Sequence, residues 1–351
     1  MSATAATDGD VLISIIPFAK DVNVSAANYN ASWLTGWTGT QTQPSAWDAE
    51  PVAIATSKPS GWSSVGPGSN CPFKSSTNGF VCDTDPDNRS PTTTTKIPSS
   101  GTYKGYICPG DDSNYFVYYN GCYNSVSSGS SYTHTWVKNA TTTWNGCVTD
   151  RTQPYDTQNT APTTTATSFF VEQYDACPSA LMPLSSNWTG LKAKISAMSP
   201  AGGTNQPIGM AWAWHSLSQS LPLSAPAEDP KYIYSRAIIL LSDGLNTQDR
   251  WPNYGNGNTQ NTCSGNVGCI DARQMLLCDN IKSIIDPQTN KPAYTIYTIQ
   301  VNTGSPADPT SSVLQYCASD SSKFTQVKTA NQIISTFDSI GSSLSKLRVA
   351  K

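Results

Sequence analysis

The sequence predicts an α/β protein built on a doubly wound, mostly parallel sheet, interrupted by a large loop- and β-rich insertion stapled by disulfides. Three observations carry that prediction. From about 166 to 351, short apolar runs are separated by helical periodicities, and strands that alternate with helices pack as parallel sheets covered on both faces. A further apolar run, Val11 to Phe18, stands near the N-terminus and suits a strand buried on both faces. Between them, 26–165 is rich in turn residues, cysteine and aromatics and shows no long helical period, as in a region whose core is too thin to hold without covalent staples. The expected organisation is 1–25 as the first part of the α/β domain, 26–165 as the insertion, and 166–351 as the remainder.

Each element has its own signal. Asp8-Gly9-Asp10 introduces the Val11–Phe18 strand. Trp188, Leu191, Ile195 and Met198 step by three and four, predicting a helix that ends before Gly202-Gly203. Ile208 to Leu221 reads as another helix, although Met210, Trp212 and Trp214 also alternate as a strand would. Ala237 to Ser242 is a buried strand, with Asp243-Gly244 turning at its C-terminal end. Ile270, Leu277, Ile281 and Ile284 share one helical face, and Tyr294 to Val301 alternates with β-branched residues. Asp308-Pro309 reads as an N-cap followed by proline at the first helical position. Lys323 to Val327 is a short strand. Thr329 and Gln332 form a capping box ahead of a last helix striped by Ile333, Phe337, Ile340, Leu344 and Leu347.

Composition narrows the function. The 351 residues carry 24 acidic and 21 basic side chains, a net charge of -3, and a pI near 5.3. Charged residues are 13% of the chain, about half the roughly 25% usual for soluble domains. A mildly acidic chain without basic blocks excludes nucleic acid and anionic membrane as expected partners. The longest apolar runs fall far short of the ~20 residues that span a bilayer, so no transmembrane segment is expected in this chain. Ten cysteines without a CxxC pair, beside only two histidines, His134 and His215, read as disulfides formed outside the cytoplasm rather than a zinc site. Spacing does not fix their connectivity; Cys147–Cys177 and Cys263–Cys269 are among the candidate pairs. Met1-Ser2-Ala3-Thr4 opens no signal peptide, so either a leader lies upstream or the disulfide reading fails.

Candidate chemistry sits where α/β sheets place it, at the C-terminal ends of strands. Asp243 ends the Ala237–Ser242 strand, and Thr204 lies in the loop Gly202-Gly203-Thr204-Asn205 that enters a helix. A carboxylate and a hydroxyl are oxygen ligands of the kind Mg²⁺ takes; a plain turn with a capping aspartate has the same pattern. Other constellations are thinner. The chain has no GxSxG elbow and no Walker-type loop. Asp83, Asp85 and Asp87 lack the glycine and glutamate of a calcium loop and read as a solvated turn. His215, among Trp214 and Leu217, reads as a packed residue. Trp33, Trp37, Trp47, Trp62, Trp136 and Trp144, with Tyr115, Tyr118 and Tyr119, fit either the core of a small disulfide domain or a sugar-stacking face.

Gly202-Gly203-Thr204-Asn205-Gln206-Pro207-Ile208-Gly209 followed by Ile238 to Gly244 resembles a von Willebrand factor A domain. Further residues resemble TadG-type proteins of the tight-adherence (Tad/Flp) pilus system. They include Trp144-Asn145-Gly146-Cys147-Val148 with Arg151 and Pro154-Tyr155-Asp156, Leu191 to Ile195, Cys278 to Lys282, Ile296 to Val301, and Tyr316-Cys317-Ala318. The resemblance spans about 144 to 351, with Val11 to Val22 similar to the second strand of that domain. It implies a metal-ion-dependent adhesion site in which an Asp-x-Ser-x-Ser loop joins the Thr and the Asp. Thr204 and Asp243 match the second and third elements, the first is absent, and Ser242 replaces the usual Thr. It also implies a structural disulfide between Cys278 and Cys317.

The expectation is therefore a von Willebrand factor A-type fold lacking its first strand and helix. Its expected function is that of a non-enzymatic, TadG-like adhesion or assembly module that binds a protein partner of a pilus or cell surface through Mg²⁺. It would be extracytoplasmic, in the periplasm or at the cell surface, with a membrane anchor upstream in full-length relatives. The alternative is a secreted carbohydrate-active enzyme or lectin using the insertion's aromatics. Without a first strand, the strands at 11–18 and 237–242 are expected to flank an empty slot or to pair directly, and an N-terminally truncated chain explains both the slot and the missing export signal.

Overall fold

The structure is a computed structural model that describes residues 9–37, 141–174, 176–251 and 253–346, with the backbone of four short strands between 38 and 140. It divides into two compact units, one formed by Met1–Thr35, Gly146–Phe170 and Ala176–Lys351, the other by Gly36–Asn145 and Val171–Asp175. In chain order the strands and helices begin with β1 (Ile13–Ile15), β2 (Val22–Asn23), β3 (Leu34–Thr35), β4 (Val52–Ala55), β5 (Phe80–Cys82), β6 (Cys122–Asn124) and β7 (His134–Val137). There follow β8 (Cys147–Thr149), β9 (Phe169–Val171), β10 (Met182–Ser185), α1 (Trp188–Ser196), α2 (Gln206–Ser216), β11 (Arg236–Ser242) and α3 (Cys269–Lys282). The chain continues through β12 (Ile285–Asp286), β13 (Lys291–Pro292), β14 (Tyr294–Val301), α4 (Ser312–Cys317), β15 (Phe324–Val327) and α5 (Ala330–Lys346).

The α/β unit is centred on the parallel sheet β11-β14-β15, in which Ala237 pairs with Thr295 and Thr298 with Phe324. Each return to the sheet runs through a helix, as parallel pairing requires. One face packs Ile238, Leu240 and Ile296 against Met210 and Trp214 of α2, Leu277 and Ile281 of α3, and Leu314 of α4. The other packs Tyr297, Ile299 and Val327 against Ile340 of α5, flanked by Ile333, Phe337 and Leu344. Cover on both sides buries β14 from Ile296 to Gln300, and its buried polar groups are paired, Thr298 Oγ1 donating to the Leu314 carbonyl at 2.7 Å and Gln300 Oε1 accepting from the Ser311 amide at 2.9 Å.

The expected sheet is divided in the structure. β1 covers only Ile13–Ile15 and pairs antiparallel with β10, its register broken between those two isoleucines. β1 and β11 share no ladder, and among the described residues β11 stands at an edge of its sheet. Direct pairing of the two therefore does not occur. A second sheet, β2-β8-β9-β3, brings early and middle segments together, with Val22 opposite Val148 and Leu34 opposite Phe169.

Local chemistry sets the helix ends. Asn205 caps α2 by accepting from the Ile208 amide at 3.3 Å, with proline in the first turn. Almost every residue of α2 is buried; a helix surrounded by protein has no polar stripe, which is why strand-like alternation also fitted Met210, Trp212 and Trp214. Gly209 is required there, because a Cβ would lie 2.5 Å from the Phe18 ring. In α1, by contrast, Leu191 is buried while Ile195 is 57% exposed, and the helix ends at Ser196, leaving Met198 beyond it and 40% exposed, so half of the expected stripe faces solvent. α3 ends at Lys282, leaving Ile284 beyond it and exposed. Asp308 does not cap α4. Asn302 holds its backbone from both sides, donating to the Asp308 carbonyl at 2.7 Å and accepting from its amide at 3.0 Å, and Ser311 caps the helix instead. The capping box of α5 forms, with the Gln332 amide donating to Thr329 Oγ1 at 3.3 Å and the Thr329 amide to Gln332 Oε1 at 3.1 Å. No helix of the described residues is long and apolar enough to cross a membrane.

In the second unit β4 pairs antiparallel with β7, and β5 with β6, where Cys82 stands opposite Cys122. Trp37 and Trp144 meet edge to face at 5.4 Å, and Trp144 Nε1 donates to the Glu172 carbonyl at 2.9 Å.

Candidate functional site

Asp243 and Thr204 lie in two loops joined by hydrogen bonds at the C-terminal edge of the parallel sheet. Gln206 Nε2 donates to the Gly244 carbonyl at 2.9 Å and to Ser242 Oγ at 3.2 Å, bracketing Asp243. The Thr204 amide donates to Thr247 Oγ1 at 2.8 Å, and its carbonyl accepts from the amides of Thr247 and Gln248 at 2.9 and 3.2 Å. The loops touch so closely that a Cβ on Gly203 would lie 2.6 Å from Gln248 Oε1. Thr204 is half-buried and Asp243 exposed. Their side chains make no hydrogen bond or ion pair among the described residues. No group of three or more His, Cys, Asp or Glu side chains converges as a metal cluster among the described residues. The two oxygen donors suit Mg²⁺ in kind, since that ion is commonly held by few protein ligands and completes its shell with water.

Behind this edge is a buried amide network absent from the sequence reading. Gln274 Nε2 donates to Gln206 Oε1 at 2.9 Å, and Asn246 Nδ2 donates to Gln274 Oε1 at 2.7 Å and Asp271 Oδ1 at 2.8 Å. The Gln206 amide closes the circuit on Asn246 Oδ1 at 2.8 Å. A buried network satisfied in this way fixes its members rigidly. Its one sequence signal was Gln274, a polar residue on the α3 face that also carries Ile270, Leu277 and Ile281.

Beside Thr204, Asn205 Nδ2 donates to Asp150 Oδ2 at 2.8 Å and to the Lys20 carbonyl at 3.0 Å. The Arg250 amide also donates to Asp150 Oδ2 at 3.2 Å. Burial, then the charge of Asp156, pushes the Asp150 carboxyl up to about 6. Burial, then the charge of Asp150, pushes Asp249 up to about 7. The folded state holds these protons more tightly than the unfolded chain, so stability rises as pH falls toward the folded pKa values and is lost as pH rises through them. Between pH 8 and pH 6.5 the unit is expected to gain about 1 kcal/mol, a rise of roughly 2–4 °C in Tm. Thermal melts across that window check it, and Asp249→Asn should flatten the slope.

Three disulfides join described residues: Cys147–Cys177, Cys263–Cys269 and Cys278–Cys317. Arg151 is buried and donates to the carbonyls of Thr160 at 2.7 Å, Thr167 at 3.1 Å and Gln158. Burial lowers its pKa to about 10, so it stays cationic at neutral pH. Trp33 and Trp144 are buried and offer no face for a sugar. Trp47, Trp62, Tyr115, Tyr118, Tyr119, Cys71, Cys108, Asp83, Asp85 and Asp87 lie outside the described residues, as do the side chains of Trp136, Cys82 and Cys122. No family model, curated protein or solved structure matches the chain.

Proposed function

We propose that the chain is a non-enzymatic adhesion or assembly module of TadG-like, von Willebrand factor A type, binding a protein partner of a pilus or cell surface. Thr204 and Asp243 would hold a divalent cation, Mg²⁺, whose bound charge supplies an attachment point for an acidic side chain of the partner. One observation carries the reading: the sewn loops bring a hydroxyl and an exposed carboxylate, both unbonded among the described residues, to the same edge of a parallel sheet, where α/β proteins bind ligands. The chain's own contribution is positional. Gln206 fixes the turn around Asp243, and Thr247 fixes the backbone of Thr204. The three disulfides fit an extracellular domain, and the mild negative charge fits a protein partner rather than nucleic acid.

In the source organism, Asp243→Ala should abolish cation-dependent surface attachment or pilus assembly while protein level and Tm stay unchanged. Asp243 is exposed and its side chain is bonded to nothing described, so its loss removes no hydrogen bond or ion pair among the described residues. Attachment that survives the substitution, or turnover of any polysaccharide by the purified protein, would overturn the proposal.

A further inference from the structure

We propose that His215 is an acid-sensitive latch: when its ring takes up a proton, the C-terminal turn of α2 lets go of the small sheet β2-β8-β9-β3. The ring is 1% exposed. Both Nδ1 and Nε2 are buried without a hydrogen-bond partner among the described residues. Phe169 of β9 meets it edge to face at 5.2 Å, and Trp212, one turn earlier on α2, lies at 6.1 Å. Trp33, ahead of β3, extends the cluster, 6.0 Å from Phe169 and 6.2 Å from Trp212. The latch thus ties the last turn of α2 to a sheet made from distant parts of the chain.

The surroundings favour only the neutral ring. From the segment after β8, the Arg151 guanidinium sits 5.0 Å above the same Phe169 ring, and its charge opposes a second cation. Asp150 is adjacent in sequence, but its carboxylate is engaged by Asn205 and Arg250. On α2, Trp212 Nε1 is a donor and offers a cation nothing. From β1, Ser14 Oγ reaches Ser216 Oγ at 2.7 Å rather than the histidine. The C-terminal end of α2 attracts positive charge, a weaker pull than the loss of solvation in a closed aromatic site. Burial first, and Arg151 second, accordingly hold the His215 pKa well below the ordinary 6.5.

A depressed histidine pKa gives stability that is present above the unfolded value and lost as pH falls toward the folded one. The proton is accommodated only when the ring reaches water, which requires the last turn of α2 to part from Phe169. Arg151 remains on its three carbonyls and on Phe169, so the small sheet keeps its own anchor.

The test is an acid titration of the intact protein followed by histidine ring NMR and tryptophan fluorescence, beside His215→Phe and His215→Gln. With only two histidines in the chain, the His215 signal can be assigned. The ring should show no titration near pH 6.5 and should change only together with a lower-pH rise in tryptophan exposure. In the variants that fluorescence transition should move at least about one pH unit lower, or vanish. A His215 ring titrating near 6.5 in the intact fold, or acid transitions identical in wild type and variants, would overturn the latch. Should His215→Phe fail to fold, the wild-type ring titration and the glutamine variant still decide.

Discussion

Replacing Cys278 and Cys317 together by alanine is expected to lower stability by about 4 kcal/mol and Tm by roughly 10 °C. Both sulfurs are fully buried, in the cluster that also contains Met210, Leu277 and Leu314. The bridge closes a loop across a sequence separation of 39, between the loop lengths for which chain entropy gives about 3 and about 5 kcal/mol. It also anchors α4, whose six residues are far too few to hold a helix alone. Cys278 Sγ lies 3.4 Å from Met210 Sδ, so the truncation removes packing against α2 as well. Denaturant melts of the double variant, and of wild type with and without reductant, check the magnitude. A loss under 1 kcal/mol would mean that the core holds α3 and α4 without the bridge.

Arg273→Ala is expected to cost about 3 kcal/mol, within the range for removing one partner of a buried pair. Arg273 Nε donates to Asp156 Oδ2 at 2.8 Å, and its terminal nitrogen to Oδ1 at 2.5 Å, a two-bond fork between α3 and the turn after β8. The Asp156 side chain is only 4% exposed, and its charge already raises the pKa values of Asp150 and Asp249. Without the guanidinium, three carboxyl groups share a poorly solvated region. Asp156→Asn in the Arg273→Ala background should recover part of the loss, since the stranded charge is gone; a double-mutant cycle by urea melts measures that coupling. Additive single and double variants would show that the fork contributes nothing of its own.

The elements legible in the sequence were those whose signal is local. Tyr294–Val301 and the Thr329–Gln332 capping box depend on neighbours a few residues away. The split of the expected sheet is a matter of long-range pairing: β1 joins β10, across some 170 residues, rather than the strand next to α2. The true cap of α4 was misplaced because Asn302 and Ser311, not Asp308, settle the backbone there. At the candidate site, glycines before Thr204 and a strand ending at Asp243 were visible. The supporting groups were not. Asn205 reaches Asp150 across 55 residues, and Gln206 reaches Gln274 across 68. Only the fold brings such polar pairs together, and no composition or period announces them.

The most direct measurement of cation-bridged adhesion is a titration of the purified protein with Mn²⁺, read by electron paramagnetic resonance and competed with Mg²⁺. Wild type should bind one ion in about the millimolar range, as expected for a site with few protein ligands, and Asp243→Ala and Thr204→Ala should each remove that binding. Equal binding by all three proteins, or none by the wild type, would contradict a cation held by Thr204 and Asp243.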